Sequence, residues 1–294
     1  MKIALFGSRH QDRHIDRLRH LLDSLAALAQ SGALELAMEE RFYSYVSPIL
    51  PVSTDIFHIF RRLDVQPDLV LSIGGDGTFL RVAKALGRFT APVLGINTGH
   101  LGFLSAARID DCDEILRYIL AGDYGVEERT MLRVCSEHPE FRGPRYALNE
   151  VALLRRDTAS MINIEARLGD EPLASYRADG LIVSTPTGST GYNLSVGGPV
   201  VSPSTPCFII SPVAPHSLNM RPIVVSDRER IELRSEGRAE TLLLNLDGKA
   251  VILPIDTVIT VSRAPYPVRV VIPRGESFIH TLRTKMLWGA NHDE

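Results

Sequence analysis

The sequence predicts two domains in succession, an α/β domain followed by an all-β domain. Up to about residue 123, short apolar runs alternate with segments of helical apolar spacing, which is typical of a parallel sheet covered by helices. From there to about residue 273, helical spacing nearly disappears and short strand-like runs replace it. The length of 294 residues also suits two domains, because a domain takes roughly 150 residues.

The first domain is predicted to begin with a buried strand at 2–6, which ends at Gly7. A helix follows from Ile15, with leucines at three- and four-residue steps, and Gly32 stands where a helix C-terminus favours glycine. The alternation then continues. The later predicted elements are a strand at 68–73, a helix that ends at Gly87, a strand at 92–96 and a helix at 111–120.

The second domain is predicted to be an antiparallel sandwich, because its strands are short and numerous. Residues 162–168 alternate strictly between apolar and polar side chains, and the turn Gly169-Asp170 follows them. The other strand-like runs are 147–154, 173–184, 207–213, 230–234, 241–246, 257–262 and 268–272. Residues 277–288 return to helical spacing, and we expect this helix to pack back on the first domain. The predicted domains are therefore 1–123 with 274–294, and 124–273.

Composition and charge exclude several classes of function. The 32 Lys and Arg residues against 35 Asp and Glu give a net charge of −3, without a long basic run, so nucleic-acid binding is not expected. Cys112, Cys135 and Cys207 are too scattered for a disulfide framework or a Cys-x-x-Cys metal site, which favours a reducing compartment. The N-terminal residues lack the apolar run of a signal peptide, and no stretch approaches the roughly 18 apolar residues of a membrane span. We expect a cytoplasmic protein with no membrane partner.

The segment Gly74-Gly75-Asp76-Gly77-Thr78 lies at a predicted strand-to-helix turn. Glycines there let main-chain N–H groups approach an anion, and a helix N-terminus favours negative charge. Asp76 would repel a phosphate unless it takes a proton from an attacking hydroxyl or holds Mg²⁺. The alternative is a tight turn with Asp76 as helix N-cap. Arg81, one helical turn further on, would either reach an anion or lie in solvent. The spacing is neither Gly-x-Gly-x-x-Gly nor a Walker P-loop.

A second polar cluster covers residues 177–195, where hydroxyls, glycines and Tyr192 offer small donors, acceptors and a ring to a sugar or base. An ordinary loop is the alternative. Asn149-Glu150 interrupts a strand-like run and suits a ribose diol, with a surface hairpin as the alternative. His216, in a proline-fixed loop at 211–217, is more often structural than catalytic, and residues 247–249 are predicted only as a turn. Signatures of a hydrolase elbow, a zinc helix or an EF-hand are missing from the sequence.

These motifs together resemble those of the NAD kinases. The family's GGDGT motif corresponds to Gly74–Thr78, its Asn-Glu pair to Asn149-Glu150, and its long glycine and hydroxyl motif to 179–192. Residues 215–218 with Arg221-Pro222 fit the bacterial pattern, and the matches follow the family's order from 74 to about 249. The GGDGT motif also occurs in diacylglycerol and sphingosine kinases, whereas the 179–192 motif is much more specific. The resemblance implies a Rossmann-like α/β domain plus a β-sandwich.

The activity implied by the resemblance is transfer of the γ-phosphate of ATP to the 2′-hydroxyl of the adenosine ribose of NAD, which gives NADP. Asp76 would be the general base, and the phosphate loop would be Gly74, Gly75, Gly77 and Thr78. Ala214 would meet the adenine through its main chain, Lys249 stands where bacterial members usually carry Gln, and Gly191 stands where Ala is common. The implied NAD-binding residues are Asp76, Gly77, Arg81, Asn149, Glu150, Arg177, Asp179, Thr190, Gly191, Tyr192, Asn193, Leu194, Ser195, Ala214 and Lys249.

The resemblance also implies partners and an assembly. Mg²⁺ is expected to come with ATP, since phosphates and water usually hold most of its coordination shell. A homodimer or homotetramer is expected, in which a neighbouring chain completes the site that residues 179–195 help to form. Two alternatives stay open at this point: a diacylglycerol-type lipid kinase, which the charge of −3 and the lack of a basic amphipathic helix disfavour, and a non-catalytic sensor of NAD(H).

Overall fold

The computed structural model describes residues 1–9, 11–49, 54–99, 102–139, 141–156 and 161–289. These residues form two compact units. The first comprises Met1–Glu128 and the segment from Val268 onward, and the second comprises Arg129–Pro267. Each unit has its own hydrophobic core. No helix in the described ranges combines the length and the apolar character that a membrane span requires.

The chain order of strands and helices fixes the labels used below. The strands are β1 Lys2–Gly7, β2 Glu35–Glu39, β3 Phe57–Phe60, β4 Leu69–Ile73, β5 Val93–Asn97, β6 Ala107–Arg108, β7 Tyr124–Arg129, β8 Leu132–Cys135, β9 Arg145–Ala147, β10 Glu150–Arg155, β11 Ile162–Leu168, β12 Glu171–Ala178, β13 Gly180–Ser184, β14 Cys207–Val213, β15 Ile223–Ser226, β16 Ile231–Glu236, β17 Thr241–Leu246, β18 Lys249–Pro254, β19 Val258–Arg263 and β20 Val268–Pro273. The helices are α1 Ile15–Gln30, α2 Glu40–Val46, α3 Asp76–Leu86, α4 Cys112–Ala121, α5 Tyr192–Ser195 and α6 Phe278–Met286.

The first unit contains one sheet in the order β3-β2-β1-β4-β5-β20-β7, with β6 beside β5. The pairings from β3 across to β20 are parallel. Strands β4 and β5 are buried along their whole length, as expected for a parallel sheet with both faces covered. Helix α1 packs Leu18, Leu22 and Leu25 into the same core. The carboxyl ends of β4 and β5 therefore lie side by side, and the glycine loop follows one of them.

The second unit is a sandwich of two six-stranded sheets, ordered β15-β14-β13-β10-β17-β18 and β12-β11-β16-β19-β8-β9. Neighbouring strands are antiparallel in both sheets. Alternate residues of β17 point into the core, namely Leu242, Leu244 and Leu246, and β11 shows the same period of two. The predicted fold class, an α/β domain plus an all-β sandwich, is confirmed.

Several predicted elements differ from the observed ones. The run at 173–184 forms two strands, β12 and β13, because Asp179 interrupts the strand between them. The run at 268–272, expected in the sandwich, is β20 of the first sheet, where it pairs with β5. Strand β7 also joins that sheet. The boundaries between the observed units consequently lie at 128/129 and 267/268, whereas the predicted boundaries lie at 123/124 and 273/274.

Candidate functional site

The glycine loop connects β4 to α3 in the first unit. Gly74 has a φ of +148°, and a Cβ there would lie 2.6 Å from Oγ1 of Thr78, so this position requires glycine. Gly75 is the N-cap residue of α3, and Gly75 and Gly77 have open space where a Cβ would lie. The first turn of a helix leaves main-chain N–H groups without helical partners. An anion can therefore approach the main chain at these two glycines.

The Asp76 carboxylate is turned toward the segment that follows β5. Its Oδ2 accepts the N–H of Phe103 over 2.8 Å, and its Oδ1 accepts the N–H of Leu104 over 3.1 Å. A Cβ on Gly102 would overlap this carboxylate. Asp76 is the first residue of α3 and makes no N-cap hydrogen bond, so the N-cap alternative is wrong. The carboxylate is fixed by two donors and remains half-exposed.

Arg81 is bound within the first unit. Its guanidinium pairs with Glu39 and donates to the carbonyl oxygen of Gly7 over 2.9 Å. It also lies 6.0 Å from the centroid of the Phe6 ring. The side chain of Glu39 is only 14% exposed. The solvent alternative is wrong, because β2 places the carboxylate of Glu39 beside Arg81. The predicted anion contact of Arg81 stays a prediction.

A cation that the sequence did not predict lies against Phe103, the residue that binds Asp76. Lys285 lies in the last turn of α6, with its ammonium 5.3 Å from the centroid of the Phe103 ring. Burial lowers the pKa of Lys285 below that of an ordinary lysine, and the charges of Asp76 and Glu276 oppose this shift. The helical spacing of 277–288 predicted α6 but gave no sign of its partners.

In the second unit, Asp247 holds the Asn149-Glu150 pair. Its carboxylate accepts three main-chain N–H groups, those of Leu148 at 2.8 Å and of Asn149 and Glu150 at 3.0 Å each. The turn was predicted correctly: Asp247 has a φ of +46° and Gly248 a φ of +79°, as in a two-residue hairpin between β17 and β18. Its role as a clamp was missed. Asn149-Glu150 is not a hairpin, since β10 begins at Glu150 between β13 and β17.

The long polar motif packs directly on that pair. Oγ1 of Thr185 donates to the carbonyl of Leu148 over 2.6 Å and accepts the N–H of Gly188 over 3.1 Å. A Cβ on Gly188 would overlap the carbonyl of Asn149, which explains this glycine. A Cβ on Gly191 would lie 3.0 Å from Oε2 of Glu150 and 3.7 Å from Nδ2 of Asn149. The structure therefore brings Asn149, Glu150 and Gly191 together.

Asn193 is placed differently from the other residues of the motif. It is completely buried, and its amide donates to the carbonyls of Ser189 and Pro199 while Oδ1 accepts the hydroxyl of Ser211 over 2.7 Å. The side chain is therefore enclosed by its own loop, and contact between Asn193 and NAD stays a prediction. Its neighbours are more accessible: Thr190, Gly191, Tyr192 and Leu194 are half-buried, and Ser195 is exposed.

A second group in this unit surrounds Asp179. The carboxylate forms a two-point ion pair with Arg155, at 2.9 Å to Nε and 3.1 Å to Nη2. The Asp179 N–H donates to the carbonyl of Val213, and the His216 N–H donates to the carbonyl of Arg177, both over 2.9 Å. The predicted residues Arg177, Asp179 and Ala214 are thus neighbours. Arg177, Ala214 and His216 are exposed, and Ala214 has a φ of +44°. Lys249 is exposed at the start of β18.

Models of the ATP-NAD kinase N-terminal and C-terminal domains match residues 12–124 and 148–272. The NAD kinase of Porphyromonas gingivalis is 43% identical over 98% of each chain, and that of Bacteroides fragilis is 40% identical over 99% of each chain.

Solved structures agree with these matches. A crystal structure of an NAD kinase from Archaeoglobus fulgidus in complex with ATP aligns with a TM-score of 0.70 and 29% identity, over 98% of this chain and 99% of that one. Yeast NADH kinase complexed with NADH aligns with a TM-score of 0.88, over 99% of this chain and 89% of that one, and its 21% identity supports the fold alone. Since both halves match the family's models and two relatives are at least 40% identical along nearly the whole chain, the chain belongs to the NAD kinase family and is a phosphotransferase that acts on NAD.

Proposed function

We propose that Asp76 is the general base of the NAD kinase reaction. The observation that carries this proposal is the placement of its carboxylate, which lies at the first turn of α3 and is fixed by the N–H groups of Phe103 and Leu104. A fixed and half-exposed carboxylate is suited to accept a proton from a hydroxyl within hydrogen-bond reach. The open main chain at Gly75 and Gly77 supports phosphate binding beside it.

In the proposed step, the adenosine 2′-hydroxyl of NAD gives its proton to Asp76. Its oxygen forms a bond to the γ-phosphorus of ATP, while the bond to the bridging oxygen breaks and its electron pair stays on ADP. This chemistry demands positioning and charge stabilisation rather than a covalent enzyme intermediate. The products are NADP and ADP, and the proton leaves from Asp76.

We propose that the second unit binds the NAD substrate with two groups of residues. Asn149 and Glu150, fixed by Asp247, hold the ribose hydroxyls, because an amide and a carboxylate together donate and accept. Asp179 with Arg177 and the main chain of Ala214 bind the remainder of the adenosine half. Further contacts in this unit are assigned to Thr190, Gly191, Tyr192, Leu194, Ser195 and Lys249. In the first unit, Gly77 is also assigned to NAD binding. Arg81 and Asn193 also belong to the proposed binding set, and their side chains contact neighbours within their own units.

Mg²⁺ is proposed to enter as MgATP. The ion takes most of its ligands from phosphate and water, so no protein residue is assigned as its ligand. Among the described residues, a group with metal-ligand chemistry is formed by His20, Cys112 and Asp113. That group lies on α1 and α4, and burial raises the pKa of the Cys112 thiol, so we assign it no part in the reaction.

We propose a homodimer or homotetramer in the cytoplasm. Strand β15 is an edge strand, and its Ile223 and Val224 are 37% and 50% exposed. An exposed apolar edge favours pairing with a second copy of the chain. The three cysteines are free, which fits a reducing compartment.

The central experiment incubates the purified protein with MgATP and NAD and measures NADP. NADP should form, and NAD that lacks the adenosine 2′-hydroxyl should bind without being phosphorylated. Asp76→Asn should lower kcat by about 10² to 10⁴, the usual contribution of a general base, with NAD affinity changed only a few-fold. Asp64→Asn, an exposed carboxylate elsewhere in the first unit, is the matched control. An unchanged kcat in Asp76→Asn would contradict the proposed role, and a protein that binds NAD without making NADP would be a sensor.

A further inference from the structure

Lys285 and Asp76 both contact Phe103, within the first unit. The lysine ammonium lies 5.3 Å from the centroid of the Phe103 ring, and the main-chain N–H of the same Phe103 donates to Oδ2 of Asp76 over 2.8 Å. Asp76 and Glu276 are the two carboxylates whose charges act on this ammonium. The last turn of α6 and the first turn of α3 therefore carry opposite charges, and both charged groups contact Phe103.

Helix α6 is anchored, so the position of Lys285 is defined. The hydroxyl of Ser277 accepts the N–H of His280 over 3.1 Å and caps the helix at its N-terminus. Leu282 is buried one turn before Lys285. The long side chain of Lys285 is itself half-buried, and its ammonium lies close enough to the Phe103 ring for a cation–π contact. A lysine held in this way is more than a solvated surface charge.

Phosphoryl transfer is promoted by positive charge beside the transferred phosphoryl group. Negative charge is spread over the oxygens of the phosphoryl group during transfer, and enzymes stabilise it with fixed positive groups. Arg81, the cation that the sequence suggested, is paired with Glu39 and with the Gly7 carbonyl. Lys285, by contrast, contacts the ring of Phe103, whose main-chain N–H binds Asp76.

We propose that Lys285 is a catalytic residue that stabilises the phosphoryl group as it is transferred at Asp76. The inference rests on the proposed role of Asp76 as general base. When the 2′-hydroxyl proton moves to Asp76, the charge of the carboxylate is cancelled. The Lys285 ammonium then interacts with the phosphoryl oxygens. The lysine forms and breaks no covalent bond, and it keeps its proton throughout.

The test compares three variants of the full chain by steady-state kinetics with NAD and MgATP. Lys285→Met keeps the aliphatic length and removes the charge, whereas Lys285→Arg keeps the charge. Arg283→Met is the control, because it removes an exposed positive charge from the same turn of α6. We expect kcat to fall about 10²-fold in Lys285→Met, as for removal of a fixed transition-state donor. The KM for NAD should change less than about threefold, since ground-state binding of NAD is untouched.

Restoration by arginine separates charge from packing. Lys285→Arg should recover kcat to within about tenfold of the parent, and Arg283→Met should stay within about twofold of it. Thermal unfolding of each variant shows whether it is folded at the assay temperature. The proposal is overturned if Lys285→Met keeps its kcat, or if the arginine variant is folded and as slow as the methionine variant.

A double variant distinguishes failure of this proposal from failure of the role of Asp76. If both groups act on the same transfer step, the fold loss of kcat in the double variant Asp76→Asn/Lys285→Met should be much smaller than the product of the two single fold losses. Independent, fully multiplicative losses would reject the coupling of Lys285 to Asp76 while leaving Asp76 as the base. A normal kcat in Asp76→Asn alone would instead reject the general base.

Discussion

Oδ1 of Asp247 lies 3.0 Å from the main-chain nitrogen of Asn149 and accepts its N–H. The same carboxylate accepts the N–H groups of Leu148 and Glu150. Three main-chain donors thus bind one carboxylate, which belongs to the hairpin turn between β17 and β18. The conformation of the Asn149-Glu150 pair therefore depends on Asp247. A residue that no substrate needs to touch thereby sets the geometry of residues proposed to bind the ribose.

Asp247→Asn should weaken NAD binding and destabilise the second unit. The new amide places an NH₂ group against a main-chain N–H, and an unsatisfied donor of this kind costs about 1–3 kcal/mol. We expect the KM for NAD to rise about tenfold, which corresponds to about 1.4 kcal/mol of binding. Asp170→Asn, in the turn between β11 and β12, should leave both stability and KM unchanged. Equal behaviour of the two variants would show that Asp247 is an ordinary turn residue.

Gly102→Ala should reduce turnover without any change to a charged group. A Cβ at Gly102 would overlap the Asp76 carboxylate, so either Asp76 or the segment at Phe103 and Leu104 must move. A general base displaced by about 1 Å loses roughly 10²-fold in rate. The control is Gly99→Ala, whose Cβ would meet only Oδ1 of Asn97, at 3.9 Å. Comparable kcat values for both variants would mean that the observed placement of Asp76 is not the reactive one.

Glu150→Gln should raise the KM for NAD more than it lowers kcat. Contacts to a ribose that are equally strong before and during phosphoryl transfer contribute to binding of both states. The glutamine has the same shape, so the packing around Gly191 is preserved. Initial rates over a range of NAD concentrations, at saturating MgATP, measure the two constants separately. A loss confined to kcat would place Glu150 in the chemical step.

Lys285 should set the alkaline limit of turnover. Burial lowers its pKa, against the opposing charges of Asp76 and Glu276, so it loses its proton at a lower pH than a free lysine, whose pKa is about 10.4. If the ammonium is required, kcat falls as pH rises through the pKa of Lys285. A guanidinium stays charged up to about pH 12, so Lys285→Arg should move this fall to higher pH. The profile of kcat from about pH 7 to 10 tests this, and identical profiles would contradict it.

Two inactive variants test whether sites are shared between chains. If neighbouring chains complete the site, mixing Asp76→Asn with Asp179→Ala subunits after mild dissociation should restore part of the activity, because some sites then carry both intact residues. If each chain builds its own site, every site retains a lesion and NADP does not appear. Light scattering of the parent protein reports the assembly independently, and a monomer at the assay concentration would end the proposal.

The extent to which the sequence predicted the structure depended on how local each signal was. The loop Gly74–Thr78 and strands such as β11 were readable because strand, turn and helix signals follow one another within a few residues. Strand β2 was not predicted, since Glu-Leu-Ala-Met-Glu consists of strong helix formers. It becomes a strand because parallel pairing with β1 and β3 overrides that preference, and this pairing brings Glu39 to Arg81.

The missed site residues share a different cause. Asp247 contacts residues 97 to 99 positions away in the chain. Lys285 is far from Asp76 in the sequence, and both contact Phe103. A turn aspartate and a helical lysine look ordinary in isolation, and only the tertiary fold gives them partners. Asn193 shows the converse. Its motif suggested ligand contact, yet burial made it the hydrogen-bonding centre of its own loop.

The position of β20 has a consequence for synthesis of the chain. Because β20 lies between β5 and β7 in the sheet, the first unit cannot close until residues 268–273 have left the ribosome, long after its other strands have been made. Until then the edge of β5 at Val93 lacks its partner strand, since β6 covers only Ile96 and Asn97, and exposed strand edges invite pairing with other chains. The second unit, whose strands all lie within Arg129–Pro267, is complete earlier. A protein truncated before β20 should therefore yield a folded sandwich and an aggregation-prone first unit. Addition of the C-terminal segment completes the first sheet last and covers the strand edge that favours aggregation.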